Sequence, residues 1–132
     1  MNAKKEKRRF VLIDDDAIYR TIMSQVASKE GMELDVYESL AAMGSVGLLG
    51  TYDAAIVDYD LGTLTGVEIG EYLTSLFGNI PMILVSEKER RPGGNGWPKS
   101  IQSFVPKTEG YAATLAKARM CVEGKKKSDF VE

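Results

Sequence analysis

The sequence predicts an α/β fold in which helices cover both faces of a mostly parallel, five-stranded sheet. Two observations indicate this class. Five short segments along the 132 residues are predicted to be strands, and most of them are apolar runs typical of strands buried on both faces of a sheet. Segments with apolar residues at helical spacing separate most of these runs. Because parallel strands need crossover connections, this alternation predicts a series of right-handed strand–helix–strand units.

The first strand–helix unit has the clearest pattern. The stretch "RFVLI" (Arg9–Ile13) ends in four apolar residues and is predicted to be a buried strand. In the segment that follows, Ile18, Ile22, Val26 and Ala27 recur at helical spacing. We therefore expect a helix whose apolar face packs on the sheet.

The second strand–helix unit has a less clear sequence pattern. Residues Met32–Ser39 alternate between apolar and polar side chains, which is typical of a strand. Ser39 is a residue type favoured at helix N-termini, and a helix is predicted within residues 40–50. Gly44 and Gly47 weaken that helix, because glycine lowers helix propensity.

The third unit begins with "DAAIV" (Asp53–Val57), a buried strand that leads directly into Asp58. After a turn-rich stretch, Val67–Phe77 is predicted to be a helix. The apolar residues expected to face the core are Val67, Ile69, Leu73 and Leu76.

The last part of the chain supplies strands four and five. These are Pro81–Val85 and Gln102–Val105, and residues 110–124 form a closing helix. A fourth helix should connect the two strands, but residues 89–100 contain two prolines and three glycines. This composition predicts an irregular loop with at most one or two helical turns.

Length and composition predict one globular domain. The chain is 44% hydrophobic and 27% charged, with a net charge of -2 and a pI near 5.3, so no global field favours nucleic acid or anionic lipid. We expect residues 9–124 to be the domain, flanked by a basic tail at 1–8 and a C-terminal tail at 125–132. A monomer or weak dimer is expected.

The cysteine and histidine counts narrow the chemistry. Cys121 is the single cysteine, so no internal disulfide can form, which fits a reducing, cytoplasmic compartment. The sequence has neither a signal peptide pattern nor an apolar run long enough to span a membrane. There is no histidine, which excludes histidine-based metal sites, triads and proton relays.

Polar side chains follow four of the five predicted strands. In a parallel sheet the carboxyl ends of the strands lie at one edge, where ligands bind. The residues placed there are Asp14, Asp15, Asp16, Asp58, Asp60, Ser86 and Lys107. Asp16 is predicted to be the helix N-cap, and Asp35 and Asp53, elsewhere in the chain, are assigned to solvent.

The acidic residues at this edge predict a metal site. Asp14, Asp15 and Asp58 would converge on one point, where three carboxylates repel unless a cation intervenes. Mg2+ is the natural occupant, because it prefers oxygen ligands in octahedral geometry. Zinc is disfavoured, because the chain has no histidine and no second cysteine.

The same edge predicts phosphoryl transfer to an aspartate. Asp58 could attack phosphorus, and Lys107 could neutralise the developing charge as a point charge. The Ser86 hydroxyl could donate a hydrogen bond to another phosphoryl oxygen. Taken singly, each residue has a commoner role as a turn, cap or surface residue. Their joint arrangement on four strands favours the functional interpretation.

The motifs that carry this arrangement resemble the receiver domains of two-component response regulators. They are "VLIDDDAIYR", "YDAAIVDYDLGTLTGVEI", "PMILVSE" and "SFVPK", and the resemblance extends from Arg9 to about Val122. It implies a doubly wound, flavodoxin-like (βα)5 fold with strand order 2-1-3-4-5, here with helix 4 shortened or irregular. Because the tail after helix five is too short to be another domain, we expect either a stand-alone, chemotaxis-receiver-like domain or one excised from a longer chain.

The resemblance assigns the metal site and the phosphoacceptor. It implies that Asp58 accepts a phosphoryl group from a histidine kinase or phosphotransfer protein. Mg2+ would be held by Asp14, Asp15 and Asp58 and by the backbone carbonyl of Asp60. Such a domain is not an enzyme acting on other substrates. It catalyses its own aspartyl phosphorylation and dephosphorylation and switches its binding to a downstream protein.

The resemblance also assigns residues that bind or respond to the phosphoryl group. Ser86 and Lys107 would bind it, and Ser86 with Phe104 on strand five would form the conformational switch. A simple core role is an equal alternative for Phe104. The side chains of Asp60 and Lys88 would flank the line of water attack and modulate hydrolysis.

The chain departs from the family pattern at four places. Gly62 and Thr108 stand where prolines are usual, which should loosen the loop after Asp58 and change the aim of Lys107. Glu87 stands where a small residue is usual and could obstruct the phosphoacceptor or repel phosphate. The segment "RRPGGNGW" (90–97) replaces helix four and suggests an unusual output surface.

Two other functions compete with this interpretation. One is a phosphorylation-independent scaffold that keeps the fold, which Glu87, Thr108 and the altered helix four would favour. The other is a haloacid-dehalogenase-type phosphatase, because "DYDLGTLTG" (58–66) resembles its nucleophile loop, with Asp58 as nucleophile and Asp60 as general acid. Leu61, inserted before the glycine, and the order of the acidic residues count against this phosphatase.

Overall fold

The structure is a computed structural model of the chain, and it describes most but not all residues. The described ranges are 8–44, 51–61, 64–77, 80–88 and 100–130. Within them, the side chains of residues 64, 66, 69, 73, 76, 77 and 124–130 are not described.

The described residues form five main strands and three α-helices. The strands are β1 (Arg9–Ile13), β2 (Glu33–Tyr37), β3 (Ala54–Asp58), β4 (Met82–Ser86) and β5 (Ile101–Pro106). The helices are α1 (Ala17–Lys29), α2 (Gly66–Phe77) and α3 (Tyr111–Phe130). Single 3-10 turns occur at Ala41–Met43 and Lys107–Glu109, and Asp60–Leu61 pairs antiparallel with Leu64–Thr65. Among these helices, none combines the length and apolar character needed to cross a bilayer.

The five main strands form one sheet in the order β2-β1-β3-β4-β5, and all neighbouring strands are parallel. This confirms the predicted fold class and strand order. The chain moves to opposite sides of β1 when it adds β2 and β3. Such a change of direction opens a crevice beyond the carboxyl ends of the strands, and the candidate site lies there.

The sheet is buried on both faces. Alternate residues of β1 enter two different clusters: Phe10 and Leu12 pack with α1 and α3, whereas Val11 and Ile13 pack on the opposite side. Val67 of α2 packs against this second cluster. Every residue of β3 is buried, and its terminal Asp58 is held in register beside Val85 of β4.

The buried face of α1 differs from the predicted one. The residues that share this face are spaced four apart and are Tyr19, Met23 and Ala27. Of the predicted set only Ala27 is fully buried, and Ile18 is 71% exposed. The spacing alone fits either phase, because the large ring of tyrosine can lie on the buried face of a helix as isoleucine can.

Three other predictions concern segment boundaries. The helix predicted within 40–50 is only a 3-10 turn at Ala41–Met43 where it is described, and residues 45–50 lie outside the described residues. The irregular loop predicted in place of helix four also lies outside them, at 89–99. Helix α3 continues to Phe130, past the predicted end at Gly124.

Arg9 links β1 to its neighbours at the amino-terminal edge of the sheet. Its guanidinium lies 3.4 Å from the Glu33 carboxylate and 3.2 Å from that of Asp35, and it donates to the Thr51 hydroxyl at 3.0 Å. Its main-chain N–H donates to Asp53 Oδ2 at 2.8 Å. The assignment of Asp35 and Asp53 to solvent is therefore incomplete: the Asp35 side chain is 40% exposed, but both carboxylates also bond to Arg9.

Replacing Arg9 by methionine is expected to lower the free energy of unfolding by about 1–2 kcal/mol, because three side-chain partners lose a donor at once. The Tyr52 ring, 4.7 Å from the guanidinium, also loses a contact. Urea unfolding measures the change. Lys117→Met, at an exposed position of α3, is the matched control and should stay within about 0.5 kcal/mol of the wild type. Equal stability of both variants would contradict a structural role for Arg9.

Candidate functional site

Four strand ends place polar side chains at one edge of the sheet. Asp14 directly follows β1, Asp58 and Ser86 are the last residues of β3 and β4, and Lys107 directly follows β5. The register places Asp58 beside Val85 and Ser86 beside Pro106, so these ends are level. The parallel sheet therefore brings these residues to the same edge, as predicted.

Three carboxylates meet at this edge. One carboxylate oxygen from each of Asp14, Asp15 and Asp58 lies within 4.8 Å of the others. Asp14 is fully buried and Asp58 nearly so, whereas Asp15 is exposed. Oxygens on opposite sides of an octahedral Mg2+ are about 4.2 Å apart, so small side-chain movements would let these three share one ion. The donor set therefore fits the predicted Mg2+.

Asp14 also forms a buried ion pair. Lys107 Nζ lies 2.9 Å from Asp14 Oδ2, and the two side chains are 10% and 0% exposed. Asp14 Oδ1 accepts a hydrogen bond from the main-chain N–H of Asp16 at 2.9 Å. Asp16 in turn caps α1, since its side chain accepts from the N–H groups of Ile18 and Tyr19, as predicted. These bonds link the end of β1, the start of α1 and Lys107.

Burial and the closeness of the carboxylates determine the electrostatics of the cluster. Burial, followed by the nearby Asp14 carboxylate, raises the pKa of Asp58 to about 7, although Lys107 partly opposes this. Burial also raises the pKa of Asp14. For Lys107 burial alone would lower the pKa, but the contact with Asp14 and the charge of Asp58 raise it. Among the described residues Lys107 is the only ammonium paired with these carboxylates, and a divalent cation would balance the remaining charge.

An open cavity of about 450 Å3 lies above the cluster. The residues that line it are Asp15, Asp16, Asp58, Asp60, Ser86, Glu87, Lys88 and Lys107. At its floor the main-chain N–H of Asp60 lies 3.4 Å from Asp58 Oδ1. The Ser86 hydroxyl accepts from the N–H of Lys88 at 3.2 Å, which holds its oxygen at the cavity wall.

Comparison with known proteins decides the family. The family model of the response regulator receiver domain matches residues 10–117 of the chain. The chain belongs to this family. A comparison with curated protein sequences gave no match.

Solved receiver structures share the fold of this receiver domain. A CheY-like receiver domain protein from Methanospirillum hungatei superposes with a TM-score of 0.75 at 16% identity, covering 93% of this chain and 99% of that one. A response regulator from Thermotoga maritima, solved in complex with Mg2+ and BeF, gives 0.72 at 19%, covering 85% and 96%. The receiver domain of the hybrid histidine kinase CckA gives 0.68 at 16%, covering 86% and 98%.

The departures from the family pattern have different outcomes in this receiver domain. Thr108 lies in the 3-10 turn that follows β5, and Lys107 still reaches Asp14, so the missing proline does not turn the lysine away. Glu87 is exposed and lines the cavity, so its charge does face the site. Gly62 lies outside the described residues. Phe104 is partly buried on β5 and packs against the second cluster, and its switch role stays a prediction.

Tyr19 is a residue near the site that the sequence analysis did not single out. Lys107 Nζ lies 4.2 Å from the centre of its ring, and the side chain is only 5% exposed. Tyr19 lies in the first turn of α1 and not directly after a strand, so the strand ends do not point to it. The available signal was the helical spacing of Tyr19, Met23 and Ala27, which places the ring on the buried face.

We expect Mg2+ to raise the melting temperature of this receiver domain more at pH 8 than at pH 5. The folded pKa of Asp58, about 7, lies above its ordinary value of 3.8, so the folded state binds a proton that the unfolded state has lost. The stabilisation from that proton is lost as pH rises from about 4 to about 7. Above this range the ionised carboxylate is free to bind Mg2+, which at 100 times its Kd stabilises by about 2.7 kcal/mol.

Thermal melts in Mg2+ and in EDTA at the two pH values measure this difference. The control is Asp58→Asn, which should melt higher than the wild type in EDTA at pH 8 and respond less to Mg2+. A Mg2+ effect of the same size at both pH values in the wild type would contradict the competition between proton and metal.

Proposed function

We propose that this receiver domain accepts a phosphoryl group on Asp58 from a histidine kinase or phosphotransfer protein, in a Mg2+-dependent reaction. The observation that carries the proposal is the meeting of the Asp14, Asp15 and Asp58 carboxylates within 4.8 Å, beside a lysine 2.9 Å from Asp14. Phosphorylation would then change the binding of a downstream protein. The single cysteine agrees with a cytoplasmic protein, and we propose that the protein is a monomer or weak dimer.

The transfer requires an ionised Asp58. One of its oxygens forms a bond to phosphorus while the phosphorus–nitrogen bond of the donor phosphohistidine breaks. The electron pair of that bond stays on the histidine nitrogen. Lys107 lines the cavity beside Asp14 and would pair with the new phosphoryl oxygens from there, and the Ser86 hydroxyl can donate to another. Mg2+ held by Asp14, Asp15, Asp58 and the Asp60 carbonyl would neutralise charge on the transferred group.

Hydrolysis of the acyl phosphate is the proposed end of the signal. Asp60 and Lys88 line the cavity with exposed side chains, where they can influence the approach of water. Phe104 and Ser86 are the proposed switch, since both lie on neighbouring strands that end at the site. The Thermotoga maritima response regulator with Mg2+ and BeF supports the proposal as a protein of the same fold.

A phosphorylation-independent scaffold is the second candidate, and Glu87 favours it. Its carboxylate adds negative charge to a cavity that already contains four aspartates, which disfavours an anionic donor. The phosphatase interpretation is disfavoured, because the chain belongs to the receiver family over residues 10–117.

Incubation with phosphoramidate and Mg2+, followed by intact mass spectrometry, separates the two candidates. We expect one phosphoryl adduct on the wild type and none on Asp58→Asn. Asp60→Asn is the matched control, because it changes a carboxylate two residues away and keeps the backbone carbonyl. Absence of an adduct on the wild type over hours, with Mg2+ present, would support the scaffold.

A further inference from the structure

We propose that Tyr19 is a positioning residue for Lys107, which it holds against the carboxylate cluster through the face of its ring. The proposal deepens the proposed function and rests on it, because the task assigned to Lys107 is to bind the phosphoryl group.

The ammonium of Lys107 sits between a carboxylate and an aromatic face. Asp14 Oδ2 lies 2.9 Å from Nζ, and the centre of the Tyr19 ring lies 4.2 Å from it. A cation within about 6 Å of a ring centre is attracted by the negative face of the ring, and more strongly when water is excluded. The Lys107 side chain is only 10% exposed, so this attraction acts in a largely dry place.

The ring itself is held rigidly. Tyr19 is 5% exposed and belongs to the cluster between the sheet, α1 and α3. Its ring centre lies 5.3 Å from that of Tyr111 at an angle of 40°, a tilted aromatic contact between α1 and α3. The backbone of Tyr19 is fixed as well, because its N–H donates to the Asp16 cap. The lysine therefore meets a surface that does not move away.

Lys107 needs such a surface because its own side chain is flexible. A lysine has a long stem with four rotatable bonds, and solvating its ammonium in the open cavity competes with pairing to Asp14. The Tyr19 ring makes the inward position favourable without a second negative charge. It would also remain beside the ammonium when Asp14 shares its charge with Mg2+. A leucine would occupy part of the space without attracting the cation.

Three variants separate the effect of the aromatic ring of Tyr19 from the effect of filling its space. Tyr19→Phe keeps the aromatic face, Tyr19→Leu removes it, and Tyr19→Met is a second apolar filler should the leucine variant fail to fold. We expect the rate of phosphorylation by phosphoramidate with Mg2+ to stay within about twofold for Tyr19→Phe. It should fall about threefold to tenfold for the leucine and methionine variants. Tyr72→Leu, half-exposed on α2, is the matched control and should react like the wild type.

A double-mutant cycle tests whether Tyr19 acts through Lys107. In a Lys107→Met background, Tyr19→Leu should change the rate by less than about twofold, because the group that it positions is gone. An undiminished effect in that background would overturn the proposal. So would rates of Tyr19→Leu and Tyr19→Met equal to that of the wild type.

Lysine side-chain NMR gives a readout that does not depend on phosphorylation. The Lys107 ε-methylene protons should be shifted upfield by the ring in the wild type and in Tyr19→Phe, and not in Tyr19→Leu. An unshifted Lys107 in the wild type would overturn the proposal directly. Absence of any phosphoryl adduct on the wild type would refute the proposed function and this role with it, whereas normal phosphorylation of Tyr19→Leu would refute only the role of Tyr19.

Discussion

Replacing Lys107 by methionine is expected to slow phosphorylation of Asp58 by about 100-fold or more. A single fixed donor aimed at developing charge contributes about 100-fold to 1,000-fold to such transfers. Lys107 is the only lysine or arginine found in an ion pair with the cluster among the described residues, at 2.9 Å from Asp14. Phosphoramidate with Mg2+, followed by intact mass at timed intervals, measures the rate.

The same substitution should destabilise the fold at neutral and higher pH. It leaves Asp14 fully buried without the ammonium, and breaking a buried pair costs about 3–5 kcal/mol when the remaining charge persists. Because Lys107 lowers the pKa of Asp14, its loss lets Asp14 take up a proton more readily, so the loss of stability should be smaller at pH 5 than at pH 8.

Lys88→Met is the matched control, because Lys88 also lines the cavity but has an exposed side chain. It should fold as stably as the wild type and accept phosphate within a few-fold of its rate. Equal rates for Lys107→Met and the wild type would show that Lys107 only stabilises the fold.

Replacing Asp14 by asparagine is expected to weaken Mg2+ binding by about 10-fold to 100-fold. The substitution keeps the size of the side chain and its oxygen for the Asp16 N–H, but removes one negative charge from the cluster. It also removes the ion-pair partner of Lys107, which is then free to compete with Mg2+ for Asp58. Isothermal titration with Mg2+ at pH 8 measures the affinity.

Asp16→Asn is the control for this prediction, because asparagine also caps helices and Asp16 lines the same cavity. Its Mg2+ affinity should stay within a few-fold of the wild type. If both variants bound Mg2+ equally well, the ion would be attracted by the overall negative charge of the cavity rather than by the Asp14, Asp15 and Asp58 cluster.

Site residues could be predicted from the sequence where the end of a strand alone determines their position. Asp58 and Ser86 end buried strands, and the parallel register makes those ends level. The identity of neighbouring strands follows from topology, so the convergence of Asp14 and Asp58 needed no knowledge of side-chain packing. Asp16 as the cap of α1 was likewise predictable, because capping depends on local sequence.

The rest depended on packing that spacing does not specify. The apolar pattern of α1 fitted two phases, and only the contact with α3 selects the face with Tyr19 rather than Ile18. Asp35 and Asp53 resembled surface residues until β1 placed Arg9 beside them. The raised pKa of Asp58 reflects burial and charges from other strands, which no single segment of sequence contains.

The dependence of phosphorylation on Mg2+, with the adduct mapped to a residue, tests the central claim most directly. The wild type would be treated with phosphoramidate over a series of Mg2+ concentrations and in EDTA. Borohydride would then reduce the acyl phosphate, so that peptide mass spectrometry reports the modified residue as homoserine. We predict a rate that saturates with Mg2+, almost no reaction in EDTA, and modification at Asp58 alone. A rate that is the same in EDTA, or modification at another residue, would contradict the account.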